Sequence, residues 1–90
     1  MPIVELPSAL RVHADRQARV TVEATTVAAA LEAVCRAHPA LRPQLWLADG
    51  QVRRTIGVFV NEEDVRSPEG LAQALGPRDV VVLITAMAGG

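Results

Sequence analysis

The residues with the clearest chemical potential close the chain, where Thr85-Ala86-Met87-Ala88 leads from the apolar run Val80-Val81-Val82-Leu83-Ile84 into Gly89-Gly90. Glycine gains nothing from burial and loses the most backbone freedom on ordering, so two of them are poor packing material. They suit a different task. A tail without Cβ atoms at Gly89 and Gly90 can thread a narrow channel and bring the α-carboxylate of Gly90 to a nucleotide or a nucleophile. The competing reading is an ordinary frayed terminus made of small residues.

The other reactive side chains promise less. Cys35 is the single cysteine, which excludes an intrachain disulfide and a multi-cysteine metal site. It shares a helical face with Val27, Leu31 and Val34 and reads as a buried thiol, not as a nucleophile or redox sensor. His13 and His38 are far apart and lack ligand-spaced partners, so no metal is expected. Glu62-Glu63-Asp64 reads as part of a solvated turn and not as a cation site. Ser8 and Ser67 flank prolines with no nucleophile-elbow context. No glycine-rich phosphate loop follows a strand. No catalytic residues are expected: the chain reads as a carrier or substrate for other enzymes and not as an enzyme.

Ninety residues with half of them apolar describe one small folding domain. No uninterrupted apolar run exceeds five residues, the length of Val80 to Ile84, far short of the roughly 18 that a membrane span needs. The N-terminus has no basic region followed by an apolar stretch, so a cytoplasmic protein with no membrane association is expected. A net charge of −1 argues against nucleic acid as a partner. All nine basic residues are arginine. GC-rich coding explains that usage, yet it has a chemical consequence: apart from its N-terminal amine, the chain offers no primary amine to its own activated C-terminus.

The elements that must position the tail follow from the pattern. Ile3 to Leu6 reads as a strand, broken by Pro7-Ser8, and Arg19 to Glu23 alternates as a half-buried strand. The two are expected to form an antiparallel hairpin with a long loop. Thr25 or Thr26 caps a helix from Val27 to Ala37 whose apolar residues repeat on one stripe, and His38-Pro39 ends it. Leu41 to Leu47 is irregular or helical, with Trp46 as a lid on the core. A strand through Ile56, Val58 and Val60 leads to a polar turn at Asn61–Asp64 and a short return strand beginning at Val65-Arg66. Ser67 to Leu75 is a helical turn, and Val80 to Ile84 is a central strand. The order predicts an α+β roll with one main helix across one face of a mixed sheet.

Leu10-Arg11, the run Phe59-Val60-Asn61-Glu62-Glu63-Asp64-Val65-Arg66, Gly70-Leu71-Ala72, Asp79-Val80 and the closing Ala86-Met87-Ala88-Gly89-Gly90 together resemble the ubiquitin-like sulfur carriers. That family includes the small subunit of molybdopterin synthase and the thiamine sulfur carrier. The similarity is greatest to the mycobacterial-type carrier of cysteine biosynthesis and spans nearly the whole chain. Thr85 departs from the pattern, since many relatives carry proline there. The resemblance implies a β-grasp domain over residues 1–85 and a flexible tail over 86–90. It implies no bound cofactor, and an E1-like activating enzyme that consumes ATP to adenylate Gly90, after which a thiocarboxylate forms. A sulfur-accepting synthase would follow, such as a pyridoxal-phosphate cysteine synthase, and a metalloprotease would release the cysteine. Gly89 and Ala88 would thread the partner's channel, while Phe59, Met87 and Ala86 would form the apolar docking surface; core packing is the alternative for Phe59. Three other readings stay open: sulfur supply to molybdopterin or thiamine, a protein modifier joined through Gly90, and a non-covalent interaction module.

Overall fold

A computed structural model describes residues 1–85 of the protein; the expected tail, Ala86 to Gly90, lies outside the described residues. Strands β1 (Ile3–Glu5), β2 (Arg19–Thr21), β3 (Ile56–Val60), β4 (Glu63–Asp64) and β5 (Val80–Thr85) form one sheet in the order β2-β1-β5-β3-β4. β1 pairs with β5 in parallel, and the other three pairings are antiparallel. The sheet is therefore mixed, and β5 lies at its centre, as its unbroken apolar run requires.

Helix α2 (Val27–Ala37) crosses one face. Thr26 takes an extended backbone, and its side chain accepts the Ala29 N–H at 3.1 Å, satisfying one of the donors that a helix start leaves free. The buried stripe is Val27, Ala30, Leu31, Val34 and Cys35. It packs on the inward side chains of the sheet, Val4, Val20, Ile56, Val58, Val60, Val81 and Leu83, in a single core. His38 ends the helix, with its backbone N–H donating to Val34.

Shorter elements fill the edges. Ser8–Arg11 forms a helical turn, α1, inside the connection between β1 and β2, and buries Leu10. A 3-10 turn at Pro39–Leu41 runs into α3 (Arg42–Leu45), which buries Leu41 and Leu45. Trp46 packs against the core as the expected lid; its indole N–H is buried without a partner of good hydrogen-bond geometry and lies beside the Cys35 thiol. Burial pushes that thiol's pKa up, as befits a core cysteine.

The return strand sits earlier than expected. Asn61 and Glu62 alone make the turn, with φ of 51° and 70°. Positive φ at both central residues is the two-residue hairpin turn whose twist matches that of the flanking strands. Glu63 and Asp64 therefore belong to β4, opposite Val60 and Phe59, and Val65 continues the ladder by donating to Val58. The polar turn expected over four residues is thus only two residues long: acids are poor strand formers, but the turn geometry overrides that preference.

Helix α4 (Pro68–Leu71) starts at Ser67, whose hydroxyl accepts the Gly70 N–H at 3.0 Å. It presses so closely on the hairpin that a Cβ on Gly70 would stand 2.6 Å from the Val65 backbone. Backbone cannot yield as a side-chain tip can. Gly70→Ala should therefore destabilise the fold by about 1–3 kcal/mol through overpacking, read as a lower urea midpoint; an unchanged midpoint would show that α4 is free to move away.

Candidate functional site

β5 determines what surrounds the base of the tail. Its alternate residues Val81 and Leu83 point into the core, while Val80 and Val82 are half-buried and Ile84 is 45% exposed on the opposite face. The same face carries Ile3 from β1 and Gly57 and Phe59 from β3, since Ile3 is registered with Val80, Phe59 with Val82 and Gly57 with Ile84. No helix covers this side among the described residues, so the sheet presents an apolar pad of Ile3, Val80, Val82, Ile84 and Phe59. Ile84 is its exposed member and the other four are half-buried; an apolar cluster at a surface can serve as an interaction site.

Gly57 gives the pad its shape. A Cβ there would come within 2.6 Å of Ile84 Cγ1 and 3.0 Å of the Phe59 ring, so the two side chains close over a gap that only glycine leaves. Charges frame the pad. Glu5 and Arg19 pair at 3.2 Å on the β1–β2 side. On the β4 side, Asp64 binds the Arg66 guanidinium through both oxygens, at 3.3 and 3.1 Å, and accepts the Arg66 backbone N–H at 3.0 Å. These bonds, the backbone one first, hold the Asp64 carboxyl below its ordinary pKa. Arg66 also reaches the carbonyls of Arg54 and Ile56, each at 3.3 Å, and so ties the start of β3 to the hairpin. Ile56 is the partner of Thr85, the last described residue, so this bracing lies at the point where the tail leaves the sheet.

Of the residues expected to act, the structure places Phe59 on the pad, half-buried, next to Ile84 at the exit end of β5. Gly90, Gly89, Ala88, Met87 and Ala86 lie outside the described residues. The sequence reading missed Ile3, Val80, Val82 and Ile84 as surface residues. The signal was available: a chain with one long helix cannot cover both faces of a sheet, so a strand apolar on both faces must show one of them. Among the described residues no group of His, Cys, Asp and Glu could hold a metal ion, and the Glu62-Glu63-Asp64 run is split between turn and strand.

A mixed five-stranded sheet clasping one helix, with the C-terminal strand central, defines a ubiquitin-like β-grasp protein. The chain belongs to the ThiS family, whose model matches residues 4–90. It is 32% identical to the sulfur carrier protein CysO of Mycobacterium tuberculosis, over 97% of this chain and 96% of the relative. It superposes with a TM-score of 0.87 on a chain of the Amycolatopsis orientalis BexX/CysO complex, at 30% identity and with both chains fully covered. Small archaeal modifier protein 1 of Haloferax volcanii is similar as well, with a TM-score of 0.79 and 32% identity over 99% of this chain and 98% of that one. The family is one of small carriers and not of catalysts. Among the described residues, no helix is long and apolar enough to cross a membrane.

The half-burial of Phe59 fixes what its loss should cost. Phe59→Ala should lower stability by about 1–2 kcal/mol, below the ~3–5 kcal/mol of a fully buried phenylalanine. Val58→Ala, on the core face of the same strand and fully buried, should cost at least as much despite removing fewer atoms. Urea denaturation of the two variants side by side checks this; a Phe59→Ala loss far above that of Val58→Ala would move Phe59 into the core.

Proposed function

We propose that this protein is a sulfur carrier whose Gly90 carboxylate is adenylated by an activating enzyme and converted to a thiocarboxylate that donates sulfur, serving cysteine biosynthesis. The observation that supports this most is similarity to the mycobacterial sulfur carrier CysO across 97% of the chain, within a family match that runs through Gly90.

The chemistry follows from the weakness of a carboxylate as an acyl donor. Its negative charge repels nucleophiles, and oxide is a poor leaving group. Attack of a Gly90 carboxylate oxygen on the α-phosphate of ATP forms an acyl–phosphate bond and releases pyrophosphate. Sulfide then forms a C–S bond and expels AMP with the bonding electrons; a persulfide donor would instead give an acyl disulfide, in which a second thiol attacks the donor's sulfur, forms a disulfide with it and releases the thiocarboxylate. The resulting thiocarboxylate is ionised at neutral pH, and its sulfur is polarisable and nucleophilic. In cysteine synthesis it would attack an aminoacrylate held by a pyridoxal-phosphate enzyme; an acyl shift to the new amine would follow, and a metalloprotease would release the cysteine. The five residues from Ala86 to Gly90 could extend about 16 Å at ~3.3 Å per residue, enough to enter a partner's active site while the folded body docks outside.

The pad is the docking surface in this reading, with Phe59 and Ile84 as its anchors and Met87 and Ala86 continuing it along the tail. An aromatic and aliphatic cluster with charges at its rim has the composition of an interface core. The A. orientalis CysO relative is known in a complex with a protein, BexX, which is consistent with a carrier that works by docking. A second reading, protein modification through an isopeptide bond at Gly90, is favoured by the likeness to the Haloferax modifier protein.

Deleting Gly90, or appending one residue after it, should abolish ATP–pyrophosphate exchange with the cognate activating enzyme and leave the circular dichroism spectrum unchanged, because the carboxylate moves while no described core contact is lost. Unchanged exchange in either variant would refute activation at Gly90. In the same assay Phe59→Ala should weaken binding of the carrier by about fivefold or more if the ring is a central anchor.

A further inference from the structure

Strand β2 is an outer edge of the sheet, and the pairing on its inner side fixes what its outer side presents. Val22 N–H donates to Pro2 O at 2.9 Å, Leu6 N–H donates to Ala18 O at 2.8 Å, and Val20 is registered with Val4 between them. Hydrogen-bonded and non-hydrogen-bonded pairs alternate along an antiparallel ladder. Ala18, Val20 and Val22 therefore turn their backbone groups toward β1, while Arg19, Thr21 and Glu23 turn theirs outward. Nothing among the described residues bonds to these outward groups. A row of this kind is a template for another strand.

The side chains along this edge match a second copy of the same strand. Arg19, Thr21 and Glu23 are all exposed, and they share the pad's face, because Thr21 is registered with Ile3. Antiparallel pairing of two copies centred on Thr21 sets Thr21 against Thr21, and Arg19 of each copy against Glu23 of the other. Thr–Thr and opposite-charge pairs are both favourable across strands. In this register each of those facing pairs is also a hydrogen-bonded one. On the helix side it brings Val20 opposite Val22 of the other copy, continuing the apolar layer. Centring the pairing on Arg19 or on Glu23 would instead set like charges against each other. Arg19 already pairs with Glu5 through one nitrogen at 3.2 Å, but its side chain is 68% exposed and keeps further N–H donors free for a second carboxylate. Glu23 has no ion-pair partner among the described residues. The opposite edge lacks such a match: both residues of β4, Glu63 and Asp64, are acids, so two copies of it would repel.

We propose that β2 is a self-docking edge, through which two copies of the chain pair about a two-fold axis at Thr21, with Arg19 and Glu23 setting the register. The contact is isologous, since the same residues serve on both sides. The axis stands normal to the sheet, so both pads lie on one face of a continuous sheet and both α2 helices on the other. The central strands of the two copies are then five strand spacings apart, roughly 24 Å, and each pad remains uncovered. The proposal does not depend on the reading of Gly90.

Sedimentation equilibrium of the full chain at concentrations up to about 1 mM tests this, a range suited to a contact smaller than the ~1,200 Å² of standard interfaces. The natural chain should show a monomer–dimer equilibrium. Glu23→Arg and Arg19→Glu, each with an unchanged circular dichroism spectrum, should each weaken it by about tenfold or more, because each sets like charges opposite one another at both ends of the contact. Mixed in equal amounts, the two variants should recover the dimer, since Arg then faces Glu at both ends again. Amide exchange of the natural chain reads the register directly: the outward Thr21 N–H should gain protection as concentration rises, while the Val20 N–H, directed at β1, should not change. A natural chain that stays monomeric throughout that range would overturn the proposal. So would a dimer that Glu23→Arg leaves intact, a mixture of the folded variants that stays monomeric, or a dimer that leaves the Thr21 amide unprotected.

Discussion

A sheet of five strands is covered by one long helix, α2, and the imbalance shapes everything else in the molecule. The helix can bury one face only. The central strand β5 needs apolar residues on that face, Val81 and Leu83, to hold the core together. It carries apolar residues on the other face as well, where nothing among the described residues covers them. A small domain gains little from leaving valines and an isoleucine against water, and the proposed function assigns this uncovered face to a partner. Parallel pairing with β1 places β5 at the centre and directs its C-terminal end away from the N-terminus. The pad is thus centred on that one strand, with Ile3 of β1 and Phe59 of β3 beside it.

The exit end of that strand is braced without being covered. Arg66 joins Asp64 on β4 to the carbonyls of Arg54 and Ile56, and Ile56 is the partner of Thr85. Exposed ion pairs of this kind add little stability, so the effect of the bracing is geometric: the last rung of the β3–β5 ladder has a fixed neighbour. Gly57 acts in the same region by subtraction, leaving room for Ile84 and Phe59 to close together.

Much of this was legible in the residues. The stripe Val27, Leu31, Val34 and Cys35 identified the helix and its buried face, the His38-Pro39 stop bounded its end, and of the two candidate caps, Thr25 and Thr26, the structure uses Thr26. The apolar run at Val80–Ile84 identified the central strand. Less legible were features fixed by contacts distant in sequence. The return strand begins at Glu63 because Asn61 and Glu62 both accept positive φ, which a run of acids does not announce. The helical turn at Ser8–Arg11 is too short to show a period, and its burial of Leu10 depends on the core beneath it. The pad was hidden for a different reason. Its members are ordinary strand residues, and only the lack of a second covering layer makes them surface. The need for glycine at position 70 arises from the approach of the Val65 backbone, which no local pattern encodes.

The central claim, that Gly90 carries sulfur, is tested most directly by intact-protein mass spectrometry of the chain purified from its own host under non-reducing, rapid conditions. The account predicts a fraction heavier than the sequence mass by the difference between one sulfur and one oxygen atom, with the increment located at Gly90 and lost on alkylation-sensitive hydrolysis to the acid. A protein found only as the free acid and as isopeptide adducts to other proteins would contradict it.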